Sequence, residues 1–133
     1  VELLKGVHNF TATTGNTFKI ALYTSDATLG ASTTAFTTSN EITNSSGTAY
    51  TSGGATLTSV TPTTDSTTAV CDFSDVSFTS ASFTANGALI YNSSQSNKAV
   101  AVIAFGGDKT VSSGTFTIQF PTADATNAII RLA

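Results

Sequence analysis

The sequence predicts an all-β fold: a single antiparallel β-sandwich, jelly-roll-like, with a short N-terminal helical turn or arm. Three observations predict it. From residue 17 onward the large apolar residues recur at every second position, the period of a half-buried strand. Glycine, proline, asparagine and aspartate break the pattern every 8 to 15 residues, at the spacing of short strands joined by turns. No stretch of about 12 residues with a helical period separates the strands, so the connections are not the crossovers that parallel sheets need. The expected division is an arm over 1–16 and a sandwich over 17–133.

Residues 1–10 (VELLKGVHNF) are the one helical candidate, because Leu3, Val7 and Phe10 share a face at a spacing of four and three, although Gly6 weakens it. Thr17–Thr24 is the first strand, with Phe18, Ile20 and Leu22 on one side and Lys19, Ala21 and Tyr23 on the other. Residues 25–54 are a Ser/Thr-rich connection, pinned to the core by Phe36, Ile42 and Tyr50. Further strands are expected at Ala55–Thr61, ending before Pro62, at Thr67–Phe73, and at Val76–Thr84, which is bent or bulged. Gly87–Tyr91 follows an Asn86-Gly87 tight turn. Lys98–Phe105, the most hydrophobic, is expected at the centre of a sheet. Gly106–Lys109 is expected to be a hairpin turn, followed by strands at Thr115–Phe120 and Asn127–Leu132. The inward residues should include Phe18, Ile20, Leu22, Leu89, Tyr91, Val100, Val102, Ile118, Phe120 and Ile129, with the Tyr91 hydroxyl in water.

Composition narrows the function classes. Threonine and serine make up 44 of the 133 residues, while charged residues are only 10% against about 25% in an average domain. The five cations, Lys5, Lys19, Lys98, Lys109 and Arg131, are scattered and the net charge is −3, which excludes a phosphate-binding nucleic-acid module. No apolar run approaches the roughly 18 residues of a membrane helix, so no membrane partner is expected. No secretory signal pattern is visible from Val1 onward.

Candidate chemistry is sparse. One cysteine, Cys71, excludes an internal disulfide and reads as a small core hydrophobe. One histidine, His8, cannot build a histidine-rich metal centre and has no Gly-x-Ser-x-Gly nucleophile to serve. Asp72 and Asp75 lie three apart, as acid–base or calcium-binding carboxylates can, but without the other ligands or the glycine of a calcium loop they read as a solvated corner. Gly106-Gly107-Asp108-Lys109-Thr110 lacks the spacing and the following helix of a phosphate loop. The Asn-x-Ser/Thr patterns at Asn9, Asn44 and Asn92 are chance matches in so Ser/Thr-rich a chain. No catalytic, cofactor or metal residues are assigned, and the chain is not expected to be an enzyme.

Several segments resemble a family of small structural proteins of tailed bacteriophages. They are Leu3–Phe10 (LLKGVHNF), Phe18–Thr24 (FKIALYT), Gly87–Ser93 (GALIYNS), Phe105–Thr110 (FGGDKT) and Phe120–Arg131 (FPTADATNAIIR), in the same order and over nearly the whole chain. The resemblance implies a virion component. It is compatible with capsid cement that bridges shell subunits, with a tail or head-fibre part as the alternative and a glycan-binding or glycan-cleaving β-domain as the next. The expected partners are further copies of the chain and the major capsid protein or other virion proteins, on the virion surface. The apolar residues of the arm, Leu3, Leu4, Val7 and Phe10, are the expected interface. Low charge, the absence of methionine and Thr-rich strands suit a particle that persists outside cells.

Overall fold

A computed structural model describes residues 1–43 and 50–133 of the chain. Among them the structure is all-β, with no helix and two antiparallel sheets. The strands are β1 (Phe18–Tyr23), β2 (Ala55–Thr56), β3 (Ser59–Asp65), β4 (Thr68–Phe73), β5 (Val76–Asn92), β6 (Lys98–Ile118) and β7 (Ile130–Leu132). One sheet has the order β2-β1-β5-β6 and the other β3-β4-β7.

β1 forms because its apolar residues alternate, yet both of its faces are buried. Phe18, Ile20 and Leu22 enter the main core with Ala88 and Ile90 of β5. Ala21 and Tyr23 enter a second core with Leu89 and Tyr91. This corrects the expected inward set. β1 pairs with β5 so that Ile20 faces Ile90 and Ala21 faces Leu89, which puts Leu89 and Tyr91 on the sheet face opposite Phe18, Ile20 and Leu22. The second face is covered by the Ser/Thr-rich connection, whose Ala27, Leu29 and Phe36 pack there, Phe36 stacked on Tyr91 at 4.6 Å.

In the main core, rings from the first sheet, the second sheet and the arm meet. Phe18 of β1 lies edge-on to Phe73 of β4 at 5.6 Å, and Phe10 stacks flat on Phe18 at 4.5 Å. Such pairs add about 0.5–1.5 kcal/mol each to the area they bury. Cys71 is partly buried against this cluster.

β5 and β6 depart most from the sequence reading. Asn86-Gly87 is not a turn and Gly106–Lys109 is not a hairpin; both lie inside long strands that pair along nearly their whole length. Between the pairs Ala85–Lys109 and Gly87–Ala104, one β5 residue opposes four of β6. Gly106 and Gly107 take up this excess with φ of 73° and 141°, conformations that a side chain resists. Smaller bulges lie at Ser80 on β5 and at Ser113 on β6, both with positive φ. The most hydrophobic segment is also not central: β6 is the edge strand and β1 and β5 are the inner ones.

The expected break at Pro62 is likewise absent. β3 runs through it, because β3 is a sheet edge and its register shifts between Val60 and Thr63, where a missing N–H costs no ladder bond.

Candidate interaction surface

The arm contains no helix. Residues 2–6 form a turn in which the Lys5 N–H donates to the Val1 carbonyl at 3.1 Å and the Val7 N–H to the Glu2 carbonyl at 3.1 Å. The turn is tied down by a polar cluster that the sequence pattern did not reveal. His8 is buried, and its Nδ1 accepts from the Asn92 amide at 3.0 Å. That amide also donates to Asn16 Oδ1 at 2.9 Å, and Asn92 Oδ1 accepts from the Ser94 N–H at 3.1 Å. With Nδ1 an acceptor, the neutral ring holds its proton on Nε2, 3.6 Å from Glu2 Oε2. Glu2 Oε1 accepts from Lys98 Nζ at the start of β6.

Burial pushes the His8 imidazole below its ordinary value, against the opposing pull of the Glu2 carboxylate. Glu2 is itself held low by the Lys98 ammonium. Asn92, one of the Asn-x-Ser matches, is wholly enclosed in this cluster and offers no free amide, whereas Asn44 lies outside the described residues.

The four expected interface residues part company. Phe10 is 5% exposed and belongs to the chain's own core. Val7 is half-buried. Leu3 and Leu4 are 39% and 79% exposed, and Val1 beside them is 89% exposed. The free apolar surface of the arm is therefore its first turn alone. It borders a groove of about 570 Å³ walled by Glu2, His8, Phe10, Thr34 and Val100.

A second concavity, of about 480 Å³, opens where β6 meets the chain's last segment, and Ile103, Phe105, Phe116, Ile118, Phe120 and Ile129 line it. Of the expected inward residues, Val100, Ile118, Phe120 and Ile129 are partly buried against the main core, and Val102 is 38% exposed.

Asp72, Asp75 and the three tyrosine hydroxyls are committed to the backbone or the core. Asp72 accepts from the Phe73 N–H at 2.8 Å and Asp75 from the Phe120 N–H at 2.9 Å, so the two carboxylates serve separate segments. Burial pushes the Cys71 thiol up, away from the reactive thiolate. All three tyrosine rings are buried. Tyr23 donates to the Thr37 carbonyl, Tyr50 to Glu41, and Tyr91 to the Gly53 carbonyl at 2.7 Å rather than to water. Among the described residues, no group of three His, Cys, Asp or Glu side chains could hold a metal ion, and no helix is long and apolar enough to cross a membrane.

No protein-family model, curated protein or solved structure matches the chain.

Proposed function

We propose that this chain is a non-enzymatic structural component of a tailed-bacteriophage virion, and specifically a capsid cement protein. In this reading, copies associate with one another and with the major capsid protein on the head surface. The resemblance of the five ordered segments supports the class. The observation that carries the role is the arm: its first turn presents Val1, Leu3 and Leu4 to solvent while the Glu2–Lys98 and His8–Asn92 contacts fix it in place. An apolar turn held out by a polar clamp is preorganised for a partner and loses little conformational entropy on docking. Cement then acts by mass action, because a protein that binds only the assembled shell stabilises the shell.

For the fold we carry forward the sandwich and not the jelly roll. Among the described residues the sheets hold seven strands, in the orders β2-β1-β5-β6 and β3-β4-β7, whereas a jelly roll has eight strands wound as two Greek keys.

The test is decoration of emptied capsids by the purified chain, followed by capsid heat resistance and copy number. Hundreds of copies per particle and a raised disruption temperature are expected. Tens of copies or fewer, confined to one vertex or to the tail, would replace cement by the tail or head-fibre reading. No particle association at all would overturn the class.

A further inference from the structure

β6 is the last strand of its sheet. The start of its outer side is covered: Ala35 bridges to Lys98, and the Ala99 N–H donates to the Thr34 carbonyl at 2.9 Å. Past that point no backbone group among the described residues pairs with the outer side, and at Gly106-Gly107 the bulge ends the regular ladder. Between the two lies Ala101–Phe105, five residues without charge or proline, of which Ala101–Ala104 pair in continuous register with β5 and Phe105 opens the bulge.

Native sheets guard their edges with lysine, proline or bulges. Here the guards flank this stretch and none lies inside it. Lys98 is turned to Glu2, and Asp108 accepts from the Asn86 amide. Val102, beside its centre, is one of six exposed large apolar residues among those described.

We propose that two copies of the chain join through this edge, antiparallel, about a two-fold axis at Ile103. The sequence AVIAF is complementary to itself under that operation. Ile103 meets Ile103 of the second copy, Ala101 meets Phe105, and Val102 meets Ala104, so that away from the axis a large side chain always opposes a small one. Ala101, Ile103 and Phe105 belong to the face that packs on the main core, where Ile103 and Phe105 also line the apolar groove. The same register sets Gly106 and Gly107 of the second copy opposite Val100 and Ala99. The Gly30–Thr33 loop lies across a concavity of about 350 Å³ from Ala99–Val102, and the two glycines bring no side chain into that space. A foreign strand would pair with the same backbone, but only a copy brings this matched set of sizes and both glycines in register. The interface is isologous, as closed dimers require.

Five paired residues a side bury less than the roughly 1,600 Å² of a standard interface. The dimer is therefore concentration-dependent in solution and strengthened where copies are held side by side. The proposal names the contact for the self-association put forward above. It rests on that part of the reading and not on the capsid role.

The experiment is sedimentation of the full chain over a roughly hundredfold range of concentration, for the wild type and for Val102→Lys. A wild type that moves from monomer to dimer and a Val102→Lys variant that stays monomeric, with unchanged circular dichroism and melting temperature, are expected. Register is read separately in a Cys71→Ala background. Ile103→Cys should give an oxidised dimer because directly opposed positions bring the Cβ atoms within disulfide reach, and Thr117→Cys, on the same strand beyond the bulges, should not. A wild type that is monomeric throughout, a dimer that survives Val102→Lys, or equal cross-linking at Thr117→Cys would overturn the proposal. So would a β6 edge that gains hydrogen-exchange protection only when capsids are added, which would make the shell protein the occupant. Dimers that never bind capsids would sink the cement reading and leave the pairing intact. Full decoration by Val102→Lys together with a monomeric wild type would do the reverse.

Discussion

Glu41 shows how single residues hold a Ser/Thr-rich chain in one place. Its buried carboxylate accepts from the Tyr50 hydroxyl at 2.6 Å, from Ser52 Oγ at 2.8 Å and from the Gly53 N–H at 2.6 Å. The Tyr50 hydroxyl in turn accepts from the Leu22 N–H at 3.0 Å, which ties the connection to β1. Its own proton is held far above the ordinary value, by burial first and by the neighbouring carboxylate second. Gly54 closes the knot: φ is +70°, and a Cβ there would lie 1.8 Å from the Ile20 carbonyl oxygen. Tyr50→Phe keeps the ring and removes both hydrogen bonds. It should cost about 1–3 kcal/mol, the penalty for stranding the buried Leu22 N–H and removing one of the donors to Glu41 Oε1, read as a lower melting temperature. His8 gives a pH prediction. The unfolded imidazole takes its proton near 6.5 and the buried one resists it to lower pH. Between those values the unfolded chain binds more protons, so stability is full above about pH 6.5 and falls as the pH drops below it. Melting curves between about pH 7.5 and about pH 5.5 should show this slope, and His8→Gln should flatten it.

At the scale of elements, the strands were legible wherever alternation was clean. β1 and β4 lie within a residue of their expected ends, and Phe36, Ile42 and Tyr50 anchor the long connection as their size suggests. Turn chemistry misled where glycine and asparagine serve bulges instead of turns. Asn86-Gly87 and Gly106-Gly107 carry the signals of chain reversal, but opposite each other they form one irregularity in a continuous ribbon. Local sequence does not reveal this, because the choice between turn and bulge depends on what the facing strand supplies. The polar clamp of the arm was illegible for the same reason: Glu2, His8, Asn92 and Lys98 are separated by up to 96 residues, and nothing in their spacing announces a contact. The bulges make a prediction of opposite signs. Ser113 sits at φ 49° and Gly107 at 141°. Ser113→Gly should raise stability by up to about 1 kcal/mol by relieving a left-handed residue. Gly107→Val should lower it by about 1–3 kcal/mol by imposing a side chain on a conformation that excludes one. Urea midpoints of the two variants against the wild type are the measurement.

For the molecule as a whole, the first sheet is covered on both sides along β1 and the Ala88–Asn92 end of β5, by the second sheet and arm on one side and by the Ser/Thr-rich connection on the other, while the first half of β5 keeps Ser77, Thr79, Ser80 and Thr84 exposed and β6 is left with a free edge. This arrangement separates stability from contact within the N-terminal arm. The sequence reading places Leu3, Val7 and Phe10 on one helical face and joins Leu4 to them as the expected interface, but the arm is a turn followed by a segment without regular structure, and Leu4 and Phe10 do different work. Phe10 lies flat on Phe18 and edge-on to Phe73 at 6.2 Å, joining arm and both sheets. Phe10→Ala should therefore cost about 3–5 kcal/mol, the range for emptying a buried aromatic site. Leu4 touches solvent, so Leu4→Asp should change stability by no more than about 0.5 kcal/mol. If the first turn is the docking element, the order reverses in a binding assay. Leu4→Asp, folded and with the wild-type melting temperature, should fail to decorate capsids. Phe10→Ala should retain decoration at temperatures where it remains folded. Full decoration by Leu4→Asp would remove the first turn from the interface, and unfolding by Leu4→Asp would mean that this turn belongs to the chain's own core.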